Sequence, residues 1–257
     1  MKIAQKTLLS IAGFDPSGGA GALADLRVFR DLGYHGAAAL TAITVQSTSG
    51  VGGVEAVTPA LLARQVECLE NDLVVAGIKV GMAATEANLR LIGRICGAHP
   101  EIPRVVDPVF RSSSGRLLLD RAGTAAFVSV FRGRITVVTP NLDEAAVLAG
   151  GPVADVDGMV AAARTIAGKL RCACLVKGGH LSGEAVNVLD DGRRTVLLRR
   201  PRLRGDVHGT GCLFSSALLG YLAAGRSPAA AAAAATDFTH AAIDRAVRVG
   251  RGRPVGG

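Results

Sequence analysis

The chain reads Asp206-Val207-His208-Gly209-Thr210-Gly211-Cys212 immediately before an apolar helical run. Gly209 and Gly211 let backbone N–H groups converge on one point, and a helix start adds its positive dipole end, which together make an anion hole suited to a phosphate. A second glycine-rich stretch, Ala12-Gly13-Phe14-Asp15-Pro16-Ser17-Gly18-Gly19-Ala20-Gly21, also lies between an apolar run and a helical pattern. No Lys follows it as in G-x-x-x-x-G-K-S/T, and G-x-G-x-x-G does not fit, so neither a P-loop nor a dinucleotide fingerprint is present there. Three more apolar runs end on polar groups: Asp107-Pro108 after Val105-Val106, Thr139-Pro140-Asn141 with Glu144 after Ile135 to Val138, and Lys177-Gly178-Gly179-His180 after Cys174 to Val176. Taken singly, Glu144 is an ordinary first-turn acid complementing a helix dipole and Lys177 a solvated strand end. Taken together, a carboxylate and an amide for Mg²⁺, a Lys for phosphate oxygens and a Gly-lined anion hole are the parts that phosphoryl transfer needs.

These groups need a frame that brings strand ends to one edge, and the periodicity predicts one. Thr7 to Ala12 reads as a strand, and Leu23, Leu26, Phe29 and Leu32 recur at helical spacing up to Gly33. The alternation continues with a strand near Ala37 to Val45, a helix from Pro59 to about Leu73, a strand at Gly77 to Val80, a helix from Thr85 to Cys96 and a strand at Arg104 to Asp107. Beyond these come a helix at Asp120 to Phe131, a strand at Ile135 to Val138, helices at Leu142 to Leu148 and Val156 to Leu170, and a strand at Ala173 to Lys177. Apolar strands separated by helices of this length imply βαβ crossovers and a parallel sheet covered on both faces. Ala185 to Leu189 and Thr195 to Leu198, joined by Asp190-Asp191-Gly192, read as a hairpin forming an antiparallel edge. Two Ala-rich helices follow, at about Gly211 to Ala224 and Pro228 to Val247. The expected fold is α/β, a three-layer α/β/α sandwich in one domain over residues 1–257, with no linker and no repeat.

Composition removes other classes. The 257 residues are 49% hydrophobic and 19% charged, which excludes a disordered chain, and 4% aromatic content without Trp leaves little for stacking bases. The net charge is +8 with a pI near 9.8, and a non-catalytic nucleotide- or nucleic-acid-binding protein is the reading that charge alone suggests. The excess Arg is scattered, concentrating only at Arg193-Arg194, Arg199 to Arg204 and Arg248 to Arg253, as on solvated loops. Five cysteines without C-x-x-C spacing fit reduced thiols and the cytoplasm, and the N-terminal stretch reads as neither a signal peptide nor a membrane span. His35, His99 and His240 stand isolated, and no His/Cys cluster has zinc spacing.

The motifs A-G-x-D-P-S-G-G-A-G, D-P-V, T-P-N-x-x-E-A, K-G-G-H and H-G-T-G-C run in one order over nearly the whole chain. The sequence thereby resembles the hydroxymethylpyrimidine/phosphomethylpyrimidine kinases of thiamine biosynthesis, in the ribokinase-like superfamily. The resemblance implies ATP- and Mg²⁺-dependent phosphorylation of 4-amino-5-hydroxymethyl-2-methylpyrimidine and then of its monophosphate, by a homodimer that binds neither nucleic acid nor membrane. It implies that Asp25 and Gln46 hydrogen-bond the aminopyrimidine, with backbone from Gly13 and packing from Met82 and Val109. A Gln amide does offer the donor and acceptor that an aminopyrimidine complements. Gly209, Thr210 and Gly211 resemble the anion hole, Asn141, Glu144 and Thr210 the Mg-ATP side, Lys177 the phosphate contact, and Asp107 with Glu144 the metal side. Cys212 stands where sugar kinases of the superfamily have an Asp base, and a thiol at a helix start is expected to have a lowered pKa and to act as the base. The chain departs from the family at Phe110-Arg111, which are expected beside the substrate pocket, narrowing or recharging it. A pyridoxine or pyridoxal kinase of the same fold is the alternative within this chemistry. Ser112 to Arg116 reads as a lid.

Overall fold

Thr7–Phe14 (TLLSIAGF) is buried along nearly its whole length without polar alternation, the pattern of a parallel strand under helices on both faces. The computed structural model describes residues 5–112, 114–179, 184–203, 205 and 207–256; His180 and Asp206, named above with their motifs, lie outside these. The strands are β1 (Thr7–Phe14), β2 (His35–Ser47), β3 (Gly50–Ala56), β4 (Val75–Val80), β5 (Arg104–Val106), β6 (Val137–Val138), β7 (Ala173–Lys177), β8 (Ala185–Asp190) and β9 (Thr195–Arg200). The helices are α1 (Gly21–Asp31), α2 (Pro59–Asp72), α3 (Glu86–Ala98), α4 (Arg121–Phe131), α5 (Leu142–Ala149), α6 (Val156–Leu170), α7 (Thr210–Ala223) and α8 (Pro228–Asp244). The strands make one nine-stranded sheet in the order β3-β2-β1-β4-β5-β6-β7-β8-β9.

Pairing is parallel from β2 through β7, so the carboxyl ends of these strands share one edge, where ligands bind in open α/β sheets. Two apolar cores flank the sheet. One packs α2 to α6 through residues such as Leu62, Ile92, Phe127, Ala145 and Met159. The other packs α1, α7 and α8 through Phe29, Phe214, Leu218 and Ala235. The three-layer sandwich is therefore as expected.

Two parts of the chain differ from the sequence expectation. The sheet has an antiparallel strand at both edges, because β3 (GVGGVEA) pairs with β2 from Ala42↔Ala56 to Ser47↔Gly50. Three glycines leave that strand few side chains to show a period of two, so only its backbone pairing identifies it. The last helix stops at Asp244 rather than Val247, and the chain folds back so that Val247 and Val255 exchange backbone hydrogen bonds of 3.0 and 2.9 Å.

Candidate active site

Four chain segments deliver a charged cluster to the carboxyl edge. Asp107 follows β5 and is 3% exposed. Its Oδ1 accepts from Lys177 Nζ at the end of β7 at 2.6 Å and from Thr139 Oγ1 at 3.2 Å. Asn141 caps α5 in a capping box: Glu144 N–H donates to Asn141 Oδ1 at 2.9 Å and Asn141 N–H donates to Glu144 Oε2 at 2.8 Å. Lys177 is tied to the same turn, its N–H donating to Pro140 O at 2.8 Å. The fourth segment is the start of α7, where a Cβ on Gly211 would lie 3.2 Å from Lys177 Nζ and 3.3 Å from Asp107 Oδ2. A side chain there would press on both charged groups, and glycine leaves the helix start close to them.

Electrostatics follow from this crowding. Burial raises the Glu144 carboxyl to about 8, Asp107 adds to the rise, and Lys177 opposes it. For Lys177, burial favours the neutral amine, but Asp107 and then Glu144 outweigh it and the ammonium is held above its ordinary range. Lys177 thus stays a cation at the point where phosphate charge would arrive. The expected activation of Cys212 is not found. Burial, the largest influence, pushes its thiol up, and the neighbouring Asp25 and Asp107 carboxylates add to this against the opposing charge of Lys79.

A second polar cluster lines the same cavity, of about 380 Å³. Gln46, near the end of β2, has Nε2 placed 3.1 Å from His208 Nε2, and that ring nitrogen lies 3.0 Å from Asp15 Oδ2. Asp15 also accepts from Ser17 N at 2.9 Å, Ser17 Oγ at 2.7 Å and Ala20 N at 2.9 Å. Burial would raise its pKa, but the hydrogen bonds from His208 and Ser17 prevail and hold it low. An ionised Asp15 only accepts, so it fixes a proton on His208 Nε2, and the Gln46 amide turned with its oxygen toward His208 satisfies every partner, including Thr44 Oγ1 at 3.2 Å. The two glycine-rich loops meet here as well. Gly209 has φ +78° and a Cβ on it would overlap the Gly19 carbonyl oxygen.

Gly13, Gln46, Met82 and Val109 line this cavity together with Asp107, Asn141, Glu144, Lys177 and Gly209 through Cys212. Asp25 does not join them. Its side chain is fully buried behind the cavity wall, where Lys79 Nζ donates to Oδ1 and Oδ2 at 2.8 Å, Ser10 Oγ to Oδ2 at 2.6 Å and Ser216 Oγ to Oδ1 at 2.8 Å. Helix α1 turns Asp25 toward the sheet and α7, so it holds Lys79, which does line the cavity, rather than a ligand. A Lys in the apolar strand VAGIKV was the signal for this pair. Phe110 is also corrected. It is 5% exposed in the core, edge-to-face on Phe127 at 5.3 Å between ring centroids, and leaves the cavity unaltered. Arg111 does line the cavity and donates to Gly115 O at 3.2 Å. Sequence reasoning gave no site role to Asp15, Lys79, Thr239 or His240, which line the cavity: Asp15 stands in the first glycine-rich motif but its partner His208 is 193 residues away, and the other three carry no local motif.

Comparison with known proteins agrees with this geometry. The profile of the phosphomethylpyrimidine kinase family matches residues 15–255. A hydroxymethylpyrimidine/phosphomethylpyrimidine kinase of Rhizobium meliloti is 42% identical over 95% of this chain and 94% of its own length. One from Aquifex aeolicus is 35% identical over 95% and 96%. Among solved structures, the pyridoxal kinase of Staphylococcus aureus in complex with AMP-PCP superposes with a TM-score of 0.90 at 32% identity, covering 99% of this chain and 93% of that one. With a family match spanning both ends of the cavity, the chain belongs to the phosphomethylpyrimidine kinase family.

Proposed function

We propose that this protein transfers the γ-phosphoryl group of ATP to the hydroxymethyl oxygen of 4-amino-5-hydroxymethyl-2-methylpyrimidine, and then a second one to the resulting monophosphate, within thiamine biosynthesis. The observation that carries this reading is one cavity with an Asp107–Lys177–Gly211 cluster at one end and a Gln46–His208–Asp15 relay at the other. Gln46 faces the aminopyrimidine, Met82 and Val109 pack on its ring, and the hydroxymethyl oxygen points to the start of α7. As that oxygen attacks, the charge spread over the transferring oxygens meets Lys177 and the amides of Gly209, Thr210, Gly211 and Cys212. On the nucleotide side, Thr239 Oγ1 is buried in the cavity wall without a partner among the described residues, as a group awaiting an adenosine contact would be.

Mg²⁺ fits the donor set. Among the described residues no three His, Cys, Asp or Glu side chains cluster to cage a metal, but Mg²⁺ uses one or two carboxylates and completes its shell with water and phosphate oxygens. Asp107 and Glu144 would hold it, and it would neutralise the phosphate charge. A thiol pushed up by burial is scarcely ionised near neutral pH, so we assign most of the catalysis to positioning and charge, with Cys212→Ala lowering turnover less than tenfold. A larger loss with a pH-dependent rate would make the thiolate the base. A homodimer is also proposed, because Ile43 and Val45 on β2 are 54% and 72% exposed beside the open edge of β3; sedimentation mass tests it. No helix among the described residues is long and apolar enough to cross a membrane, and we place the enzyme in the cytoplasm.

The pyridoxal kinase similarity supports a second acceptor, pyridoxal, in the same pocket. ADP release with Mg-ATP and, separately, the pyrimidine, its monophosphate and pyridoxal, with products followed by mass, tests both. Turnover of both pyrimidines is expected; turnover of pyridoxal alone would reassign the acceptor.

A further inference from the structure

The segment 247–255 reads as a solvated Arg/Gly run, yet it is built into the acceptor end of the cavity. Val247 and Val255 close it into a loop through their paired backbone hydrogen bonds, and Val255 is 5% exposed. Pro254 O accepts from His208 N–H at 2.8 Å. Two residues earlier the same strand of chain grips the β2–β3 turn: Arg253 N–H donates to Thr48 O at 3.0 Å and Gly252 N–H to Thr48 Oγ1 at 3.2 Å. Thr48 lies two residues beyond Gln46, and Gln46 meets His208 at 3.1 Å. The contacts form a closed circuit that runs from Gln46 to His208, to Pro254, to Gly252, to Thr48 and back to Gln46. It joins positions 46 and 208, which are 162 residues apart in sequence. A Cβ on Gly252 would overlap the carbonyl group of Thr48, so the register admits no side chain there.

We propose that the 247–255 strap is a positioning element for acceptor recognition, holding the β2–β3 turn against His208 so that the Gln46 amide keeps its orientation. The inference rests on the acceptor chemistry proposed above. The strap's hydrogen bonds to Thr48 and to His208 reach the acceptor side of the cavity, so we assign its effect to the acceptor and not to ATP. A structural brace would instead affect both ends of the cavity alike.

The test uses Gly252→Ala in the full chain. First, hydrogen exchange of the protein without ligands should show faster exchange in a peptide covering 43–50 and in one ending at His208, with 104–107 and 173–177 unchanged. Second, the KM for 4-amino-5-hydroxymethyl-2-methylpyrimidine should rise about tenfold while the KM for ATP stays within about twofold. Unchanged exchange in the two named peptides, or a parallel rise in both KM values, overturns the proposal. If Gly252→Ala does not fold, Thr48→Val, which removes only the Oγ1 acceptor, decides by the same two readouts, with an expected rise of about threefold. If the wild type phosphorylates only pyridoxal, the acceptor reading has failed while the exchange result still judges the strap.

Discussion

The two ends of the cavity are built by different means. At the phosphate end, each group follows its strand within a few residues: Asp107 one residue after β5, Asn141 three after β6, and Lys177 as the last residue of β7. The parallel sheet aligns those ends, and burial among opposite charges makes the cluster rigid. At the acceptor end, Gln46 lies within β2 and Asp15 one residue after β1, but they meet His208, which the 247–255 strap holds, only through hydrogen bonds that cross long stretches of chain. The residues proposed to handle phosphate thus depend on strand ends alone, whereas those proposed to choose the acceptor depend also on contacts between distant segments.

Variants should separate the ends. The largest effect belongs to Lys177→Met, which leaves Asp107 buried without its cation and removes the charge facing the phosphoryl group. The kcat/KM should fall about 10³-fold for every acceptor alike, and steady-state ADP release checks it. A loss confined to one acceptor would break the comparison. Next is Gln46→Leu, which removes the hydrogen bonds to the ring and leaves His208 facing an apolar side chain. The KM for the pyrimidine should rise about 10²-fold with the KM for ATP unchanged.

A smaller effect is read in stability. Without Mg²⁺ bound, burial raises the Glu144 carboxyl to about 8 in the folded state, whereas its ordinary value is 4.5. Between those values the folded state binds more protons than the unfolded state, so this group lowers stability as pH rises through the window. Gln keeps the capping acceptor but does not titrate. The Tm of Glu144→Gln should therefore gain on the wild type by several degrees from about pH 5 to about pH 8. A constant difference across that range would show that Glu144 takes up no proton on folding.

Legibility followed the same division. Strand ends and helix starts were readable because hydrophobic period and turn residues lie close together in sequence, and the phosphate groups sit on them. Asp25 misled because the motif places it beside the first glycine-rich loop, but the turn of α1 points it at Lys79. Cys212 misled because its place at a helix start suggests a lowered pKa, while its burial opposes that more strongly. Phe110 adjoins Arg111 in sequence, yet alternate residues of an extended stretch face opposite ways, one into the core and one into the cavity.

By itself the sequence determined the layered fold, the edge at which the site lies and the phosphate-handling groups, since these depend on local periodicity and on residues adjacent to strand ends. The tertiary structure alone decided the second antiparallel edge at β3, the Lys79–Asp25 pair, the Asp15–His208–Gln46 relay and the strap that closes it. Each of those joins residues far apart in the chain through backbone pairing or burial, and neither leaves a periodic trace in the order of amino acids.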